Sequence, residues 1–197
     1  MRQARYVACA AILLLFTAHA PASSVLGLSI EDQARLSELV VAGEVVAQRG
    51  VMHPESGLET AVTLRVTEVF KGDVRPGDTV VFHTRSGELD GVVSDAVGEA
   101  RLRIGQEALV FIENIDGRRY NLGLSMGVWR VQLDRGGRAL FSRAVEEGLE
   151  VVGDVEVDYG PVSITDMGRR IEAAARQPQF EHPLLRETGP REPNRGR

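Results

Sequence analysis

Val62, Leu64 and Val66 alternate with Thr63, Arg65 and Thr67, the period of two expected of a half-buried antiparallel strand. The phase slips at Glu68-Val69-Phe70, which predicts a bulge there. The run Leu39 to Ala47 is apolar on both faces in part, and Gly43 in its middle permits a bend. Thr79 to Thr84 reads as a strand with Val80 and Phe82 on one face, and Glu107 to Glu113 as another. Asp116-Gly117 turns the chain back into Arg119 to Leu124. Gly127 to Leu133 and Arg138 to Val145 read as a hairpin around residues 134–137. Residues 49–57 (His53-Pro54, then Ser56-Gly57) read as a loop, and residues 85–104, carrying Gly87, Gly91 and Gly98, as a long connection.

Two segments carry helical signals. Ser29 with Asp32 three positions on makes an N-cap with an acidic partner for a short helix to about Leu39. Ser163 with Asp166 opens a second helix, whose Ile164, Met167, Ile171, Ala174 and Ala175 fall on one stripe. From residue 177 onward the chain holds four of its eight prolines and little apolar matter, the composition of a disordered tail. Six or seven short strands with a helix at each end predict a mainly β fold. A small antiparallel OB-like barrel is the first choice, since Gly43 and the bulge supply the bends closure needs, and a sandwich is the second.

The N-terminus changes the picture of where this protein works. Arg2 and Arg5 precede an apolar run from Val7 to Phe16, followed by Ala18-His19-Ala20-Pro21-Ala22. That is the layout of a secretory signal peptide with cleavage after Ala22, and its apolar stretch is short of the roughly 20 residues that span a bilayer. The mature domain is then residues 23–176, exported to the periplasm or secreted. Cleavage removes the only cysteine, so neither a disulfide nor thiol chemistry is expected. It leaves 21 basic against 28 acidic side chains, a net charge of -7, which with few aromatics argues against nucleic-acid binding.

Three pieces, Val41-Ala42-Gly43-Glu44-Val45-Val46, Val66 to Asp73 and Gly105 to Phe111, carry a resemblance. In order and spacing they resemble the barrel of netrin-like modules, which include the tissue inhibitors of metalloproteinases, and more closely a group of uncharacterised exported bacterial proteins. The resemblance covers about half the chain and implies an OB-type barrel; a protease partner is suggested by it alone. The animal inhibitors chelate zinc through an N-terminal cysteine, which this mature chain lacks, so no functional residue transfers.

No motif names a reaction. His53, His83 and His182 have no ligand spacing between them, and His83, beside Phe82, is expected to face solvent. Asp154, Glu156 and Asp158 open like a calcium loop, but Tyr159 and Thr165 stand where glycine and glutamate belong, and an acidic edge strand fits as well. No metal or cofactor is expected. Trp129, in phase with Val131 and Leu133, reads as core. The candidate binding surface is the connection itself, through Arg85, Glu88, Leu89, Asp90, Val92, Val93, Asp95, Val97 and Glu99, because long connections in compact domains often carry binding. The expected function is a non-enzymatic module offering this loop to a protein partner. Alternatives are a hydrolase using Glu88, Asp90 or Glu99, and a structural envelope component.

Overall fold

The computed structural model describes residues 23–177 apart from 144, 145, 147 and 154. The expected leader, and the tail from 178 onward, lie outside the described residues. In chain order the elements are β1 (Ser23–Leu26), α1 (Ile30–Leu36), β2 (Leu39–His53), β3 (Gly57–Lys71), β4 (Thr79–Thr84), β5 (Gly87–Leu89), β6 (Val92–Ser94), β7 (Glu107–Ile115), β8 (Arg118–Asn121), a 3-10 turn (Leu124–Gly127), β9 (Val128–Leu133), β10 (Ala139–Arg143), β11 (Leu149–Val152), β12 (Val162–Ser163) and α2 (Ile164–Ala175).

The expected mainly β fold is the observed one. Strands β2, β3, β4, β8 and β7 follow one another around a five-stranded ring. All its pairings are antiparallel except β4–β8, a parallel seam whose register rests on His83 opposite Tyr120. Such a partly open small barrel is the OB-like arrangement. The edge of β7 away from β2 is shared. Residues 108–110 pair with β9, and residues 112–115 pair with β8. The sheet therefore splits at Phe111, one branch curling into the ring and the other running on through β9, β10 and β12.

This branching explains the continuous apolar runs. In β2 and β7 successive side chains point to opposite faces, and here both faces are covered. Val41, Val45, Val110 and Ile112 face the ring interior with Leu64, Val80 and Phe82. Val40, Ala42, Leu109 and Phe111 face a second core with Trp129, Phe141 and the helices. β3 slips register against β2 near Thr67 and Phe70, where the bulge was expected.

Both predicted caps form. The Ser29 and Ser163 hydroxyls accept the Asp32 and Asp166 amides, each at 3.1 Å. α1 ends at Leu36, earlier than expected, where the Lys71 ammonium donates to the Ala34 and Ser37 carbonyls at 2.7 Å each. Arg170 ties the two helices by donating to both oxygens of Glu31, at 2.6 and 2.8 Å, and to Asp158 at 2.8 Å.

Two of the expected elements differ, and one strand pair was not expected at all. Residues 49–57 are not a loop: β2 and β3 pair without a break from Gly50–Thr60 to His53–Gly57, leaving only a tight turn. A Pro and a Gly inside a strand pair look like loop chemistry, but here both sit at its end. The strand expected over 119–124 stops at Asn121, because the 3-10 turn follows. The parallel pair β1–β11 was not foreseen, as four-residue strands carry too little period to show. Among the described residues no helix is long and apolar enough to cross a membrane.

Candidate functional site

The connection between β4 and β7 closes one end of the ring. Ala100 and Leu102 turn inward and join the barrel core. Gly105 then donates its amide to Val45 and Gln106 accepts from the Val45 amide, so the chain is paired with β2 before β7 begins. Within the connection β5 and β6 form a hairpin through Asp90 (φ 51°) and Gly91 (φ 80°). Two consecutive residues at positive φ give the tight turn whose twist matches paired strands.

The hairpin is held down from both sides of its first strand. Gly50 of β2 passes beneath the Glu88 carbonyl, and Gly87 lies against the Glu59 backbone. The Ser86 carbonyl accepts the Thr60 hydroxyl at 2.7 Å, and the Ser86 hydroxyl accepts the Ala96 amide at 2.9 Å. A cavity of about 300 Å³ remains beneath it, walled by Gln48, Thr60, Thr84, Ser94, Asp95 and Arg101 over Val62, Ala100 and Leu102.

The sequence-derived candidates separate into two groups. Val92 and Val93 are 60% and 67% exposed, and Glu88 and Asp90 lie with them in solvent. Leu89 is half-buried against β2. Asp95 is spent on Arg101 at 2.8 Å, and Val97 is exposed beside Gly148. Glu99 is different. It is 3% exposed, and its oxygens accept the Arg85 amide at 2.8 Å, the Ala100 amide at 2.8 Å and the Asn121 side-chain amide at 2.7 Å. This carboxylate latches the connection to β8, and both oxygens are already engaged. The structure thus brings Glu88 and Asp90 to the surface and leaves Glu99 inside, so the three acids do not share a face.

Arg85 points away from the hairpin, its guanidinium 5.0 Å from the centroid of the Tyr120 ring. There it joins residues that sequence reasoning missed. Glu59 is fully buried, accepting from the Ser56 hydroxyl, from Tyr120 Oη at 2.9 Å and from Arg118 Nη2 at 2.7 Å. Burial by itself would raise the Glu59 pKa, but these donors and the Arg118 charge outweigh it and hold it below the usual carboxylate range. His83 is half-buried, not solvent-facing: it lies at the seam, Nδ1 3.1 Å from the Arg119 carbonyl, and burial pushes its pKa down. In the sequence Glu59 stood between the loop expected over 49–57 and the alternation that begins at Val62, so no period marked it as an inward acid.

Residues 155–159 form no strand, and Asp158 is committed to Arg170; Asp154 lies outside the described residues. Among the described residues no cluster of three metal-binding side chains occurs. Trp129 is fully buried, as expected. No protein-family model matches the sequence, and no curated protein matches it either.

Proposed function

We propose that this chain is an exported, non-enzymatic binding module that offers the β5–β6 hairpin to the cleft of a protein partner. One observation carries the reading: two consecutive valines stand exposed on a hairpin whose base is packed against glycine backbone and bonded at Ser86. Preorganisation lowers the ordering cost that a loose loop would meet on association. Exposed aliphatic side chains on a rigid projection supply the desolvated contact that interface centres use. A protease cleft is the partner that the netrin-like resemblance suggests.

The test uses a photo-crosslinking residue at position 93 and, separately, at Val81, which is exposed on β4. Envelope and culture fractions should yield one adduct from position 93 and none from position 81. The adduct should disappear when Val92→Lys is added. Equal labelling from both positions, or an adduct indifferent to Val92→Lys, overturns the proposal.

A further inference from the structure

Among the described residues β5 and β6 pair only with each other. Antiparallel partners alternate between exchanging both backbone hydrogen bonds and exchanging none. The two-residue turn at Asp90 and Gly91 makes Leu89 and Val92 the bonded pair beside it. Glu88 and Val93 are then the next, unbonded pair, and their N–H and C=O groups point out of the hairpin. The two outer edges meet different surroundings. On the β5 side β2 is already in place, with Gly50 packed under the Glu88 carbonyl. On the β6 side residues 93–95 border the cavity of about 300 Å³ that Ala100, Arg101 and Leu102 also line. One edge is closed by the barrel, and the other opens on space.

An open strand edge is a template for a further strand, and proteins commonly blunt it with lysine, proline or a bulge. Residues 92–94 are Val-Val-Ser, with none of these and no charge. Their small number favours a short docked segment over a growing fibre. What pairs there must present N–H and C=O groups at strand spacing. An extended chain does so, and a helix, with its backbone bonds spent, does not. Charge narrows the occupant further. Glu88 and Asp90 are exposed and make no ion pair among the described residues, while Asp95 is matched by Arg101 at 2.8 Å. Arg85 is turned away over Tyr120. A second copy pairing edge to edge would set these acids against their counterparts, whereas a basic segment meets them favourably. We infer that the β6 edge takes a third strand, supplied by an extended basic segment of the protein partner and bonded to the Val93 N–H and C=O. This rests on the hairpin being the binding element, and it names what the hairpin meets there.

The probe is the peptide acetyl-Lys-Val-Thr-Val-Lys-amide, titrated into the 15N-labelled protein at low salt and followed by NMR. The Val93 amide should shift saturably, and its hydrogen exchange should slow. An added strand uses alternate N–H groups, so N-methylation at successive peptide positions should alternate between abolishing binding and sparing it. Val93→Pro removes an outward N–H where proline is tolerated, and should weaken binding about tenfold, while Val93→Thr should leave it unchanged. The N-methylated peptides test the same bonds on the unaltered protein if Val93→Pro does not fold. Acetyl-Glu-Val-Thr-Val-Glu-amide should bind more weakly than the basic peptide. No saturable shift at Val93, an N-methyl series without alternation, or full affinity in Val93→Pro overturns the inference. Equal binding of the acidic peptide overturns the basic assignment. Val93 shifts that grow with protein concentration alone give the edge to a second copy and overturn it too. A crosslink from position 93 that depends on Val92, with no peptide bound, leaves the hairpin as the binding element and removes only the added strand.

Discussion

Gly50 runs beneath Glu88 with no room for a side chain: a Cβ on residue 50 would lie 1.9 Å from the Glu88 carbonyl oxygen. That contact decides whether residues 87–94 are a rigid projection or a loose loop. Gly50→Ala is expected to push the hairpin off the barrel, costing about 1–3 kcal/mol as overpacking does. Urea denaturation should show the loss, and limited proteolysis should show new cleavage near Asp90. Unchanged stability and protection would mean the hairpin does not rest on Gly50.

Glu59 should tie acid stability to the Arg118 cluster. Its folded pKa lies below the unfolded value of 4.5, so its contribution is complete above that value and is lost as pH falls through the folded pKa. Glu31, lowered by the Arg170 hydrogen bond, has the same sign. Glu59→Gln should therefore destabilise at pH 7 by about 2–4 kcal/mol, since it leaves Arg118 without its partner. The gap to wild type should narrow below pH 4. Denaturation midpoints across pH 3 to 7 check both.

Glu113 runs the other way. Burial raises its folded pKa above 4.5, so the folded protein holds this proton more tightly and loses stability as pH rises between the two values. Glu113→Gln should stabilise the protein at pH 7, with the benefit gone below pH 4.5. A midpoint that falls on this substitution contradicts the assignment.

Lys71 adds to the C-terminal cap of α1, where the Ser37 amide and hydroxyl already donate to the Gln33 carbonyl. Lys71→Met keeps the apolar stem but removes both donors to the Ala34 and Ser37 carbonyls. The loss should be about 1–3 kcal/mol, because it strands buried acceptors. Amide exchange at residues 30–37 should quicken more than exchange in the ring strands.

Arg143 is a buried charge with no ion pair among the described residues. It is 7% exposed, lies 4.6 Å over the Trp129 ring, its Nε has no partner among the described residues, and burial, opposed by the Asp158 charge, brings its pKa down to about 10. Arg143→Met is expected to leave stability unchanged or raise it by about 1 kcal/mol, as apolar replacement of buried charge often does. Arg143→Ala should instead destabilise, by leaving a void over Trp129.

Some of this architecture was legible before any coordinates. The alternation at Val62, Leu64 and Val66 could be satisfied only by a strand with one buried face. The two serines followed by aspartate three positions on could be read as caps because capping is a local bond. The run from Leu39 to Ala47, apolar on both faces in part, could be read as a strand, and the cover on its two faces came only with the structure. Glu59, Tyr120 and Arg118 were not legible, since they come from two strands and meet only when β8 closes against β4. The connection was legible as unusual in length but not as a lid, because Ala100 and Leu102 reveal their inward direction only once the barrel has an interior.

What the sequence alone determined is every feature that depends on near neighbours: strand period, helix caps, turn positions, the bulge near Phe70 and the mainly β character. What only the tertiary structure decided is which polar groups lose water and with whom. Glu59 and Glu99 are ordinary acids in an extended chain. They become a buried anchor and a latch because ring closure brings distant N–H and O–H donors around them, and burying a charge is tolerated only where such donors converge.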